Sequence, residues 1–95
     1  MPNIYFIQSG KRGQIKIGVA NDVPVRMAEL QIGNPQELKL LASIPISSLK
    51  KAGALEKSLH RRFSRQRIRG EWFHRSIRVK EALGFFEASF NLPQG

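Results

Sequence analysis

Between Asn3 and Gly18, two short runs of strong strand formers flank a turn of glycine and basic residues, and that hairpin constrains the chain more than any other stretch. Ile4, Tyr5, Phe6 and Ile7 are β-branched or aromatic, the types that fit a pleated, half-buried surface. Ser9, Gly10, Lys11, Arg12 and Gly13 break the pattern, so the stretch from Gln8 to Gln14 reads as a hairpin loop longer than the minimal one. Ile15, Lys16, Ile17, Gly18 and Val19 alternate as the return strand. Strand side chains point to opposite faces in turn, so Ile4 and Phe6 face one way, and Tyr5 and Ile7 the other. Lys16 shares a face with Gly18, opposite Ile15 and Ile17. With the right register, Tyr5 and Lys16 stand on one face of the hairpin, a few ångströms apart.

The 95 residues suit one domain with a modest core, taken as spanning 1–95. No apolar run is long enough to cross a bilayer and no signal-peptide pattern opens the chain, so a cytoplasmic address without membrane is the expectation. Without cysteine, disulfides, zinc–thiolate sites and thiol nucleophiles are excluded. Only His60 and His74 remain as imidazole ligands, which argues against a structural metal site. The formal charge of +9 suits a polyanion, most simply nucleic acid, although a merely solvated basic surface has the same composition. Distribution favours the first reading. From Lys50 to Lys80, Lys and Arg recur while Glu56 and Glu71 are the only acids.

Past the hairpin, Asn21 or Asp22 can cap a helix, with Pro24 in its first turn. Val23, Met27 and Leu30 give that helix an apolar stripe, and Gly33, Asn34 and Pro35 end it near Gln31 or Ile32. Arg26 lies beside the stripe, either reaching out to solvent or turned toward a site. Glu37 to Ile46 reads as a third strand, ended by Pro45. A second helix follows from about Ser48 to Arg62 or Ser64, striped by Ala52, Leu55, Leu59 and Phe63, with Glu56 and His60 at its border. Ser64 to Gly70 reads as a basic connection, and Trp72 and Phe73 as core plugs. Val79, Leu83, Phe86 and Phe90 predict a final helix over Ser76 to Phe90. The expected fold is α/β (α+β): a three-stranded antiparallel sheet flanked by helices, in the order β-β-α-β-α-α.

Five residues stand out for chemistry: Tyr5, Lys16, Arg26, Glu56 and His60. Singly, each has an ordinary reading: a strand aromatic, a solvated strand charge, a snorkelling arginine, a surface ion-pair partner and a boundary histidine. Together they resemble the GIY-YIG endonuclease superfamily. Asn3, Ile4 and Tyr5 match its first motif with Asn for Gly, and Lys16, Ile17 and Gly18 match its second with Lys for Tyr. An arginine on the next helix and a lone glutamate on a later one follow, as Arg26 and Glu56 do here. The runs beginning at Ile15, Arg26, Glu56 and Gly70 are most similar to the T5orf172 / MUG113-like branch, in which Lys-Ile-Gly is usual.

The resemblance implies metal-dependent hydrolysis of DNA phosphodiesters in a bacterial or phage-infected cell. Glu56 would hold Mg²⁺ or Mn²⁺ with water and phosphate filling the shell, and Arg26 would clamp phosphoryl oxygens. Tyr5 would take a proton from the attacking water, its pKa lowered by Lys16, or Lys16 would itself activate the water. His60 would support the phosphate or relay a proton. Glu71 is either a second acid near the metal or part of a structural turn. The late asparagine of many members has no clear counterpart beyond Asn91.

DNA affinity would come from Lys11, Arg12, Arg61, Arg62, Arg65, Arg67 and Arg69, contacts that position a backbone without reading bases. The expected function is therefore a DNA endonuclease with little sequence specificity. One site nicks one strand, and two copies would be needed to cut both. The alternative is a basic nucleic-acid-binding module that kept the fold without catalysis.

Overall fold

The computed structural model describes residues 1–89. Strand β1 (Asn3–Ser9) and β2 (Ile15–Ala20) form the expected hairpin, followed by α1 (Val23–Ile32), β3 (Leu38–Pro45) and α2 (Leu49–Arg62). A 3-10 turn (Ser64–Gln66) leads into β4 (Arg67–Arg69) and β5 (Trp72–Phe73), and α3 (Val79–Ser89) closes the described chain. Phe90 and Asn91 lie outside the described residues. No described helix is long and apolar enough to cross a membrane.

All strand pairs are antiparallel, in the order β3-β1-β2-β5-β4. The sheet has five strands, not three. The stretch read as a basic connection supplies β4, and the aromatic pair read as plugs supplies β5. These strands are three and two residues long, too short for alternation to register in a sequence. Gly70, at φ 53°, makes the turn between them.

The helices begin where their caps dictate. Asp22 Oδ1 accepts from Val25 N at 3.1 Å, and Ser48 Oγ accepts from Lys51 N at 3.1 Å. β1 is covered on both faces, with Ile4, Tyr5, Phe6 and Ile7 all between 0 and 1 % exposed. On one face Ile4, Phe6, Ile15 and Ile17 pack with Leu59 of α2, with Phe63 at its C-cap and with Phe73. On the other, Tyr5, Ile7, Val23 and Leu38 form a smaller cluster, joined by Met27 and Leu30 of α1 and by Trp72. Burying an aliphatic or aromatic side chain of this size contributes about 1.5–3 kcal/mol. The helix stripes thus face the sheet as their periodicity predicts.

One irregularity sets up the site. β5 pairs with β2 only at Ile15↔Phe73 and Lys16↔Trp72. Beyond that, Gly18 to Ala20 have no strand neighbour on this side among the described residues. The edge of β2 is open there, and polar side chains gather around it.

Candidate active site

Register settles which hairpin residues meet. Tyr5 lies opposite Gly18, and Ile7 opposite Lys16, so Tyr5, Gly18 and Lys16 share the face covered by α1, as alternation requires. Gly18 has a steric reason to be glycine. A Cβ there would collide with the Tyr5 hydroxyl and lie 3.1 Å from Glu71 Oε1. The missing side chain lets a phenol, a carboxylate and the β2 backbone converge.

Lys16 is 7 % exposed and donates to Glu71 Oε1 at 2.8 Å. Its Nζ also lies 5.6 Å from the centroid of the Trp72 ring. The expected neighbour of Lys16 was Tyr5, and here the structure differs. The cation acting on Tyr5 is Arg26 of α1, whose guanidinium stands beside the phenol and also bonds Glu29 at 3.2 Å. Arg26 meets both of its readings in part, since its side chain is partly exposed to solvent and also reaches the phenol. Burial raises the Tyr5 pKa above its ordinary value, Arg26 opposes the rise, and the charges of Glu71 and Glu56 add to it. The expected lowering by a cation is outweighed, and Tyr5 keeps its proton at neutral pH.

Glu56 of α2 completes the cluster from across the open edge. Burial, then the negative charge of Glu71 and a hydrogen bond with it, push the Glu56 carboxyl up to about 7, against the pull of Lys16 and Lys57. Two carboxyl groups facing each other offer several oxygen donors, and this donor chemistry fits a hard divalent ion. No group of three or more His, Cys, Asp or Glu stands ready for a metal among the described residues, so water and substrate oxygens would fill the remaining positions. Glu71 is the residue the sequence reading undervalued. Its carboxylate joins the cluster while its backbone carbonyl accepts from Ile17 N at 3.0 Å.

His60 is placed as the boundary histidine of its ordinary reading. Its Nε2 lies 3.1 Å from the Ile17 carbonyl, and since a carbonyl only accepts, Nε2–H donates. The ring also packs against Phe73, with centroids 5.0 Å apart. With Glu71 taking its N–H and His60 its carbonyl, the Ile17 peptide is satisfied where β5 no longer reaches. The imidazole thus steadies the strand that carries Lys16 and Gly18.

The basic residues form two sets. Arg61, Arg62, Arg65, Arg67 and Arg69 are exposed from the end of α2 to β4. Within this set Arg62 pairs with Glu81 at 3.5 Å, and Arg67 Nε donates to the Gly70 carbonyl at 2.7 Å. Lys11 and Arg12 are exposed in the hairpin loop, beside a cavity that Trp72 also lines.

One comparison decides the family: the T5orf172 domain matches residues 3–88. The chain belongs to the T5orf172 domain family. No curated protein and no solved structure matches it. The T5orf172 domain is associated with the GIY-YIG-like/HNH-like branch of endonucleases, which points to a nuclease-like or nucleic-acid-binding module. In this T5orf172 domain the residues brought together are Tyr5, Lys16, Arg26, Glu56 and Glu71, whereas His60 stands behind β2.

Proposed function

We propose that this T5orf172 domain is a metal-dependent endonuclease of the GIY-YIG type that hydrolyses DNA phosphodiesters with little sequence specificity of its own. One observation carries the reading. A protonated phenol, a guanidinium and two mutually facing carboxyls from four different elements or turns converge at the one open stretch of β2. A packing role alone gives no reason to assemble them. Phosphodiester hydrolysis needs charge neutralised on the phosphoryl oxygens and a water held in line.

Glu56 and Glu71 are the residues that would hold Mg²⁺ or Mn²⁺. Bound there, the ion would supply charge neutralisation and polarise the phosphodiester. Arg26 binds nonbridging oxygens through its planar fork. Tyr5, holding its proton at Oη, orients the phosphate or the water as a hydrogen-bond donor. Lys16 holds the Glu71 side chain in place, and His60 keeps the Ile17 carbonyl from shifting. The exposed arginines of α2 and β4 attract the backbone, giving affinity that falls steeply with salt.

The test is nicking of supercoiled plasmid at low salt with Mg²⁺ or Mn²⁺, comparing wild type, Glu56→Ala and an EDTA control. Nicking that disappears in EDTA and in Glu56→Ala, with plasmid binding kept, is the expected result. Plasmid retarded on a gel but never nicked by wild type would leave a binding module in place of an enzyme.

A further inference from the structure

A cavity of about 680 Å³ lies at the loop end of the hairpin, away from the carboxyl cluster. Its walls come from the β1–β2 loop, the α1–β3 loop and β5, with Ser9, Lys11, Arg12, Asn34, Gln36 and Trp72 giving it its character. Its volume lies within the range of about 300–1,000 Å³ typical of small-ligand pockets. We infer that this cavity takes one unstacked nucleotide of the DNA strand being cut, with its base on Trp72 and its phosphate on Lys11 and Arg12. The inference rests on the nuclease reading above and adds to it a substrate class: single-stranded or locally melted DNA.

Four observations support it. Trp72 is half-buried, packing with one part against the Tyr5 cluster while another part lines the cavity. An aromatic ring presented this way is a stacking platform, which accepts any base because every base has a π-face. Second, the polar walls are rigid yet have unused capacity. Asn34 Oδ1 accepts from Gln36 N at 2.9 Å and from Ser9 Oγ at 3.3 Å, which fixes the amide and leaves Nδ2 as a donor. The Gln36 side chain makes no hydrogen bond among the described residues, so its amide offers both a donor and an acceptor. Such a pair suits a base edge better than a phosphate, which only accepts.

Third, the charge is placed for the backbone. Lys11 and Arg12 are exposed at the rim and have no salt-bridge partner among the described residues. Fourth, the spacing links cavity and site. Trp72 pairs with Lys16, and Lys16 stands two positions from Gly18, about 7 Å along the strand. A nucleotide on Trp72 is therefore a near neighbour of the phosphodiester beside Tyr5 and Arg26. A base paired inside a duplex has no free π-face to offer, so the cavity selects strands whose bases can leave the stack.

Trp72 is the only tryptophan of the chain, so its fluorescence reports directly on the cavity. The experiment titrates the protein in EDTA with oligodeoxythymidylate about eight nucleotides long and with a blunt duplex of equal length. Fluorescence gives occupancy of the cavity, and anisotropy of a labelled strand gives total binding. Saturable quenching by the single strand, with roughly tenfold preference over duplex, is expected. Gln36→Ala should weaken the quenching titration about threefold, and Lys11→Ala with Arg12→Ala should weaken it further without unfolding the chain. Equal quenching by duplex, no quenching despite binding, or quenching indifferent to Gln36→Ala would each overturn the inference. Because EDTA removes cleavage from this experiment, quenching without nicking activity would sink the nuclease reading alone. Nicking without quenching would sink the cavity alone.

Discussion

The two faces of the β1–β2 hairpin share every backbone hydrogen bond yet are organised on different principles. Ile4, Phe6, Ile15 and Ile17 project into an all-apolar cluster and are 0 to 2 % exposed. That face is specified by area removed from water, and any well-filled set of apolar side chains would serve it. The opposite face carries Tyr5, Lys16 and Gly18, of which only Tyr5 adds substantial apolar area. Burying Lys16 is tolerable because Glu71 meets its charge at 2.8 Å. Burying the Tyr5 phenol raises its pKa instead. The first face holds the hairpin together, and the second uses that rigidity to fix polar groups where solvent alone would not put them.

The sharpest way to break this contrast is to alter one aromatic residue on each face. Phe6→Ala should cost about 3–5 kcal/mol in urea unfolding, since it leaves a cavity in the packed face. Tyr5→Phe keeps the ring, should cost no more than about 1 kcal/mol, and should abolish plasmid nicking. Equal destabilisation by the two changes would show that the faces do not differ in kind.

Gly18→Ala probes the second face at its closest approach. A Cβ there meets the Tyr5 hydroxyl and Glu71, so nicking should fall by about 100-fold as the reacting groups are displaced. The circular dichroism spectrum should remain that of the folded chain. Near wild-type nicking in Gly18→Ala would mean that the crowding around Gly18 has no part in activity.

The smallest effect is a pH dependence. Unfolded, the Glu56 carboxyl ionises near its ordinary 4.5, whereas in the fold it keeps its proton up to about 7. Between those values the folded chain binds the extra proton. Its contribution is complete below the unfolded pKa and is lost as pH rises through about 7. In EDTA, the urea midpoint of wild type should therefore fall, relative to Glu56→Gln, as pH rises from acid to above neutral. A gap between the two proteins that stays constant with pH would mean that neither burial nor Glu71 perturbs Glu56. A divalent ion on the pair competes with the same proton, so its affinity should weaken on the acid side of the transition.

Much of the scaffold was legible because it depends on neighbours in the chain. Asp22 and Ser48 cap the helices they precede, and Leu59 and Phe63 face the core at helical spacing. β4 and β5 were not legible, since two- and three-residue strands exist only when another strand is there to pair with them. Within the site, Tyr5, Lys16, Arg26 and Glu56 stood out by type and order. The undervalued residue was Glu71, whose turn gave no chemical signal beyond a single acid among many basic residues. His60 had the right position on its helix, yet its ring turns to a backbone carbonyl.

The sequence by itself determined the hairpin, the division of its residues between two faces, the helix starts and the basic character of the chain. Each of these follows from propensity, periodicity or composition, which act locally or sum over residues. Only the tertiary structure decided that Lys16 would bond Glu71 across 55 positions, that Arg26 and not Lys16 would stand beside Tyr5, and that Glu56 would face Glu71. The two pairings of Glu71 depend on where β5 docks and where it ends, and that of Arg26 on how α1 packs on β1. No local rule contains that information, because a strand this short takes its position from the sheet it joins.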